Sequence, residues 1–237
     1  MNVQKVAVIT AASRGIGAGC ARELARRGYR VSLLARSPDV LKLAQALGGI
    51  ATQGSMMSTE DLEKLVQSTL DKWGRIDAVV NSFGDPPRPD LLEISDQMWT
   101  DNFNMLFLSV VRLARLVTAP MRQQGGGAIV NISACDSQEP SSGTPFSGTL
   151  RAAMEGFTKL YAKRYRGDRI RMNSVAPFFV ADSMEELEGW NVPSDLMWDR
   201  PATYSELAKV VAFLISEDAK FITGTTLKVD EARSMAV

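Results

Sequence analysis

The stretch between Val6 and Gly17 restricts the possible folds of this chain more than any other. Val6, Ala7, Val8 and Ile9 form an apolar, partly β-branched run without alternation, which predicts a parallel strand buried on both faces. A turn of small residues follows, carrying Gly15 and Gly17, and beyond it Ile16, Cys20 and Leu24 fall on one stripe at helical spacing. A strand, a glycine turn and a helix in that order let backbone N–H groups and the positive helix N-terminus approach a pyrophosphate. Ser13, Arg14, Gly15, Ile16 and Gly17 are the candidate contacts. Many tight turns carry two glycines without a ligand, so the turn gains meaning only from what surrounds it.

The rest of the pattern alternates strands with helices. Residues 30–36 read as a strand ending in Arg36, followed by a helix over 38–47, a strand over 50–53, a helix over 59–73 and a strand over 78–81. Residues 82–89 are rich in Gly and Pro and read as loop. A long helical segment over 96–121 places Phe103, Leu106, Val110, Leu113 and Val117 at apolar positions and ends at Gly125, Gly126 and Gly127. A strand over 128–133, a polar loop over 136–145, a helix near 147–166 and a strand over 170–175 follow. An irregular excursion over 177–201 leads to a helix opened by a capping box of Thr203 and Glu206, and residues 226–229 close as a last strand. This alternation implies a single α/β domain over residues 1–237, a doubly wound parallel sheet, and the length suffices for its core.

Composition excludes several classes of function. The 27 basic and 27 acidic residues cancel, so there is no basic footprint for nucleic acid. Residues 1–5 lead straight into the first strand without a signal peptide, and no apolar run reaches the roughly 18 residues of a membrane span. Cys20 and Cys135 do not make a disulfide framework. The expectation is a cytoplasmic protein without membrane contact. The chain has no histidine, which removes the usual general base and the commonest metal ligand, and no metal site is expected.

Several motifs in order carry a family resemblance across the whole chain. Thr10 to Gly17, Asn81 with Gly84, Trp99 at the start of the fourth helix, the run Asn173, Ser174, Val175, Ala176 and Pro177, and Ile222, Thr223 and Gly224 ahead of Val229 and Asp230 resemble the short-chain dehydrogenase/reductase family. The resemblance implies a seven-stranded Rossmann sheet, an NAD(P) cofactor that also contacts Asn81 and Gly84, a small-molecule substrate covered by the excursion, and a homodimer or homotetramer built through the fourth and fifth helices. Arg14 and Arg36 then flank the adenosine ribose, where an acidic residue favours NAD. An arginine fork there suits a 2′-phosphate, so NADP(H) is the expected cofactor; two solvated surface arginines are the competing reading.

The same resemblance exposes departures. The family's proton-donor tyrosine and the lysine four residues later correspond to Ser147 and Arg151 when the segment 152–158 anchors the comparison. Its catalytic serine corresponds to Ala134 and its asparagine to Leu106, while a one-residue slip places Phe146 and Leu150 at the pair. None of Tyr29, Tyr161, Tyr165 and Tyr204 has lysine at that spacing. A serine hydroxyl is far less acidic than a phenol of pKa about 10, and arginine stays protonated to pH above about 12, so the standard proton transfer has no donor here. Phe178 replaces a glycine where backbone approaches the nicotinamide, which counts against docking of that half of the cofactor. Ser55 replaces an adenine-holding aspartate, Glu231 and Ala232 replace two glycines, and Ala11 occupies the first glycine of the turn, where a positive φ costs about 1 kcal/mol. Ala11, the prolines 86, 87 and 89, and the Ser147–Arg151 spacing resemble a divergent branch of the family with Ser-x-x-x-Arg in place of Tyr-x-x-x-Lys.

These residues read as an NADP(H)-binding relative of the oxidoreductases whose ordinary ketoreduction is compromised. Ser147 and Arg151 are the candidate catalytic residues; Asp136 and Asp182 are candidate bases set against solvated loop carboxylates, and Cys135 is a nucleophile without a histidine to activate it. A non-redox enzyme (lyase, isomerase, hydrolase or cyclase) reusing the cleft, with Arg151 on an anionic group, is the alternative, as is a catalytically silent binding subunit. Trp190, Trp198, Met184 and Met197 either line an apolar pocket or pin the excursion.

Overall fold

Seven parallel strands, β1 (Val6–Thr10), β2 (Arg30–Ala35), β3 (Ile50–Gln53), β4 (Ala78–Asn81), β5 (Gly127–Ile132), β6 (Ile170–Pro177) and β7 (Thr226–Val229), lie in the order β3-β2-β1-β4-β5-β6-β7. The computed structural model describes residues 4–190 and 192–235. Every residue of β1 is buried, and its side chains divide by the period of two. Ala7 and Ile9 face the helices α1 (Gly15–Arg26), α2 (Asp39–Ala46) and α7 (Tyr204–Ile215), in a core with Cys20, Leu24, Leu43 and Leu207. Val8 faces α3 (Thr59–Trp73), α5 (Ser109–Gln123) and α6 (Ala152–Tyr165), in a core with Leu62, Leu113, Val117 and Tyr161. Helices on both faces explain why this strand lacks polar alternation.

The expected boundaries hold for β3, β4, β7 and α3, and the capping box of Thr203 and Glu206 is present. β5 begins at Gly127 rather than at residue 128, because Gly127 is already in register with Ile170. β6 runs to Pro177 because β7 pairs along it as far as Val229. The long helical segment is continuous over Asp96–Gln123 but is not α-helical throughout: α4 (Asp96–Phe103) passes through a π-helical turn, Asn104–Leu108, into α5. A second π-turn, Ser147–Arg151, opens α6 and packs against the first. Such turns concentrate at functional sites. This Asp96–Gln123 helix is long and apolar enough, by length and composition, to cross a membrane, which corrects the expectation that no segment qualifies. Its apolar side is held by the sheet here, with Val110, Leu113, Val117 and Met121 fully buried.

The glycine turn is tight for a steric reason. A Cβ on Gly17 would sit 2.5 Å from the Ala11 carbonyl oxygen and 3.0 Å from that of Thr10. Ala11 adopts φ +47°, so the alanine does occupy the left-handed region. Gly17→Ala is therefore expected to lower stability by about 1–3 kcal/mol, whereas Ala11→Gly is expected to raise it by about 0.5 kcal/mol once the gain in unfolded-chain entropy is subtracted. Urea unfolding of the two variants checks both signs.

Candidate active site

The sheet order reverses beside β1, whose neighbours β2 and β4 lead away in opposite directions, and this opens a crevice at the carboxyl ends of the strands. Thr10 ties the two walls together. Its hydroxyl donates to the Ser82 carbonyl at 2.7 Å and accepts the Ser82 N–H at 3.1 Å, holding the exit of β4 against the glycine turn. Ser13, Gly15 and Ile16 are half-buried in that turn, and Gly17 is buried. Arg14, in extended backbone at the N-cap of α1, and Arg36, at the end of β2, both point to solvent with no salt bridge among the described residues. Ser55 accepts the Met57 N–H with its hydroxyl at 3.2 Å.

Tyr204 was not among the predicted site residues. Its ring stands 3.8 Å from the position of a Cβ on Gly15, and its hydroxyl donates to Glu186 in the excursion. Only the packing of α7 on α1 brings it there, although a tyrosine in the first turn of a helix that must abut two glycines was a usable signal. Asp182 accepts the Tyr204 backbone N–H at 3.1 Å. That exposed carboxylate thereby supports the first turn of α7.

The second wall is polar and buried. Asn81 donates to Asn131 at 2.7 Å, Asn131 donates to Thr158 at 2.9 Å, and the Thr158 and Ser174 hydroxyls lie 3.1 Å apart. The Asn81 Oδ1 is buried with no partner. Gly84, half-exposed, has only Met105 near the place of a Cβ. Arg151 enters from the second π-turn and is 8% exposed; its Nη1 donates to the Ile132 carbonyl, and its guanidinium lies 5.2 Å from the centre of the Phe83 ring. Ser147, one turn earlier, is buried as well. Phe146, of the alternative register, is fully buried edge-on against Trp99 at 4.9 Å. Leu106 is fully buried, and Ala134 continues β5 in extended backbone.

Carboxylates and rings crowd the mouth. Glu155 accepts from Ser133 and Ser137, each at 2.5 Å. Asp85 holds Arg88 at 2.9 Å, and Arg88 lies 3.1 Å above the centre of Trp190, which packs on Phe179, which packs on Phe178. Burial raises the Asp136 carboxyl above its ordinary value, against the opposing pull of Thr144, Arg151 and Arg88. Burial also lowers the Arg151 guanidinium to about 10, so it remains a cation at neutral pH. Of the excursion's large side chains, Trp190 takes part in this row, while Trp198, Met197 and Met184 are exposed.

Comparison with known proteins places this geometry. The enoyl-(acyl carrier protein) reductase family model matches residues 10–231. The chain is 31% identical to the 3-oxoacyl-(acyl-carrier-protein) reductase FabG of Haemophilus influenzae over 95% of its own length and 96% of the relative's. It is 30% identical to dehydrogenase/reductase SDR family member 4 of Caenorhabditis elegans, over 93% and 91%. This chain belongs to the short-chain dehydrogenase/reductase family. Its fold superposes on L-sorbose reductase from Gluconobacter frateurii, solved with NADPH and L-sorbose, with a TM-score of 0.90 at 28% identity over the full length of both chains. Acetoin dehydrogenase from Enterobacter cloacae matches with a TM-score of 0.88 at 26% identity, over 100% of this chain and 98% of that one.

Within this short-chain dehydrogenase/reductase framework every phenol is engaged away from Arg151. Tyr161 is paired with Thr118 at 2.6 Å, Tyr165 packs on Tyr161, Tyr29 lies among Lys5, Asp77 and Glu217, and Tyr204 is bonded to Glu186. Cys20 belongs to the core, as its place on the α1 stripe implied. Cys135 is half-buried, and burial, followed by Asp136 and Asp230, pushes its thiol up to about 11. A thiol so placed is protonated at neutral pH and is a poor nucleophile. Its alkylation by iodoacetamide, assigned by comparison with Cys135→Ser, should climb about tenfold per pH unit through pH 9 without levelling. A plateau near pH 7 would contradict this environment.

Proposed function

We propose that this family member binds NADP(H) in the crevice and does not perform the tyrosine-dependent ketoreduction of its relatives. The observation that carries the cofactor reading is the pair of unengaged guanidiniums, Arg14 and Arg36, at the adenosine end of the crevice. A 2′-phosphate placed between them gains charge-assisted hydrogen bonds that a 2′-hydroxyl does not. Ser13, Gly15, Ile16 and Gly17 then line the pyrophosphate, with Asn81 and Gly84 on the opposite wall. NADPH in the L-sorbose reductase complex supports the cofactor class. In NADPH and NADH titrations followed by fluorescence, Arg36→Asp should weaken NADPH binding at least about tenfold and leave NADH unchanged or improved. Equal affinities of the unmodified protein for the two nucleotides would overturn the assignment.

The chemical half of the reading rests on Ser147, Arg151, Ala134 and Leu106. A positioned general acid contributes about 10²–10⁴-fold to such a reaction, and here the donor, its activator, the carbonyl-orienting hydroxyl and the relay amide are all replaced. The Phe178 ring adds bulk at the nicotinamide end, braced by Phe179 at 4.4 Å. These features equally favour a second reading, a non-redox enzyme or a silent binding subunit in the same crevice. Assembly into a dimer or tetramer is part of the proposal, because Phe103, Leu160 and the small exposed residues Ala152, Ala153 and Gly156 leave an apolar face uncovered in one subunit. No appreciable NADPH oxidation is expected with simple ketones, aldehydes or β-ketoacyl thioesters. Ser147→Tyr with Arg151→Lys should not restore turnover unless Phe178→Gly is added. Brisk, saturable turnover by the unmodified protein would refute this reading.

A further inference from the structure

Arg151 is a buried cation whose five N–H donors find one acceptor among the described residues, the Ile132 carbonyl. Its Nη1 donates to the Ile132 carbonyl, whereas its Nε is buried with no partner, and no group among the described residues accepts from Nη2. Nε and Nη2 form the side-on edge of a guanidinium, two parallel donors matched to the two oxygens of a carboxylate. The same molecule uses this edge twice elsewhere. Arg26 gives Nε and Nη2 to Glu23 at 2.8 and 2.9 Å, and Arg75 gives the same pair to Asp77 at 2.8 and 2.6 Å.

The acids nearest Arg151 do not take its edge. Asp85 is in a salt bridge with Arg88, Glu155 accepts the Ser133 and Ser137 hydroxyls, and neither Asp136 nor these two pairs with Arg151. A buried charge-bearing donor left unpaired in this way is costly unless something completes it. We infer that Arg151 is the receptor for a carboxylate on the substrate, and that the substrate class is a small carboxylic acid with a planar apolar body. This deepens the reading of the crevice as a ligand site and does not depend on which nucleotide occupies it.

Two further observations select this class. Asp85, Asp136 and Glu155 surround the guanidinium, so a singly charged carboxylate meets less repulsion than a phosphate dianion. Phe83 presents a flat ring surface 5.2 Å from the Arg151 guanidinium, and Asp85, which acts on Arg151, also pairs with the Arg88 that caps the ring row of Phe178, Phe179 and Trp190. An arginine in place of lysine supplies the two-donor edge that an ammonium does not have.

The test is a calorimetric titration of the purified full chain, with and without NADPH, using benzoate, the neutral isostere benzamide, and inorganic phosphate as probes. Benzoate should bind at least about tenfold more tightly than benzamide or phosphate. Arg151→Lys should lose about tenfold of that affinity, and Arg151→Met all of it. If Arg151→Met does not fold, Arg151→Lys carries the test, provided it melts cooperatively. Benzoate binding no tighter than benzamide, equal competition by phosphate, or full benzoate affinity in Arg151→Lys would each overturn the inference. NADPH fluorescence on the same samples separates the two readings: selective benzoate binding without NADPH binding refutes only the nucleotide assignment.

Discussion

The site depends on β1 being paired on both edges, with β2 in register from Val6 to Thr10 and β4 in register from Ala7 to Ile9. A strand with two parallel neighbours and helices on both faces has no exposed side, so its residues must be apolar and its end must open into a turn. That turn delivers the N-terminus of α1 to the crevice. The close approach of Gly17 to the Ala11 carbonyl fixes the angle at which the helix leaves the strand. The Thr10–Ser82 hydrogen bonds then transmit the position of β1 to the β4 exit, where Phe83 and Gly84 begin the opposite wall. A helix N-terminus on one wall and a ring on the other follow from a single strand's placement.

Polar burial organises the second wall. The chain from Asn81 through Asn131 and Thr158 to Ser174 crosses β4, β5 and β6 and links them to α6, so the helix carrying Arg151 is registered against the sheet by side chains as well as by backbone packing. A cation buried as deeply as Arg151 costs several kcal/mol to desolvate. The Ile132 carbonyl and the Phe83 face offset part of that, at the carboxyl end of a strand where carbonyl groups point outward. The π-turn allows it. A regular α-helical turn at Ser147–Arg151 would rotate the following residues relative to the strand ends, and the wider turn sets Ser147 and Arg151 inward together.

Strain collects around the same end of the sheet. Ala11, Glu231 and Ala232 have φ values of +47°, +57° and +59°, each a conformation that a side chain disfavours by about 1 kcal/mol or more. Glu231 holds the excursion in exchange for its strain: its carboxylate accepts the Met197 N–H at 2.9 Å, while the neighbouring Arg233 reaches Asp195 and stands 5.7 Å from the Phe178 ring. The segment after β7 thus straps the excursion to the strand ends through the side chains of Glu231 and Arg233.

The sequence by itself determined the alternation of strands and helices, the glycine turn, the capping box at Thr203 and the burial of Cys20, because each follows from local periodicity or from contacts within a few residues. The family resemblance, anchored on the segment 152–158, singled out Ser147 and Arg151. Only the tertiary structure decided what those residues face. That Arg151 turns one donor to Ile132 and leaves its buried Nε unpaired, that Asp182 caps α7, that Tyr204 lies over Gly15, and that Trp198 faces solvent while Trp190 joins a ring row all depend on elements far apart in the chain. Hydropathy records whether a residue is to be buried. It carries no information on the direction in which a polar group meets its partner, and hydrogen bonding is directional.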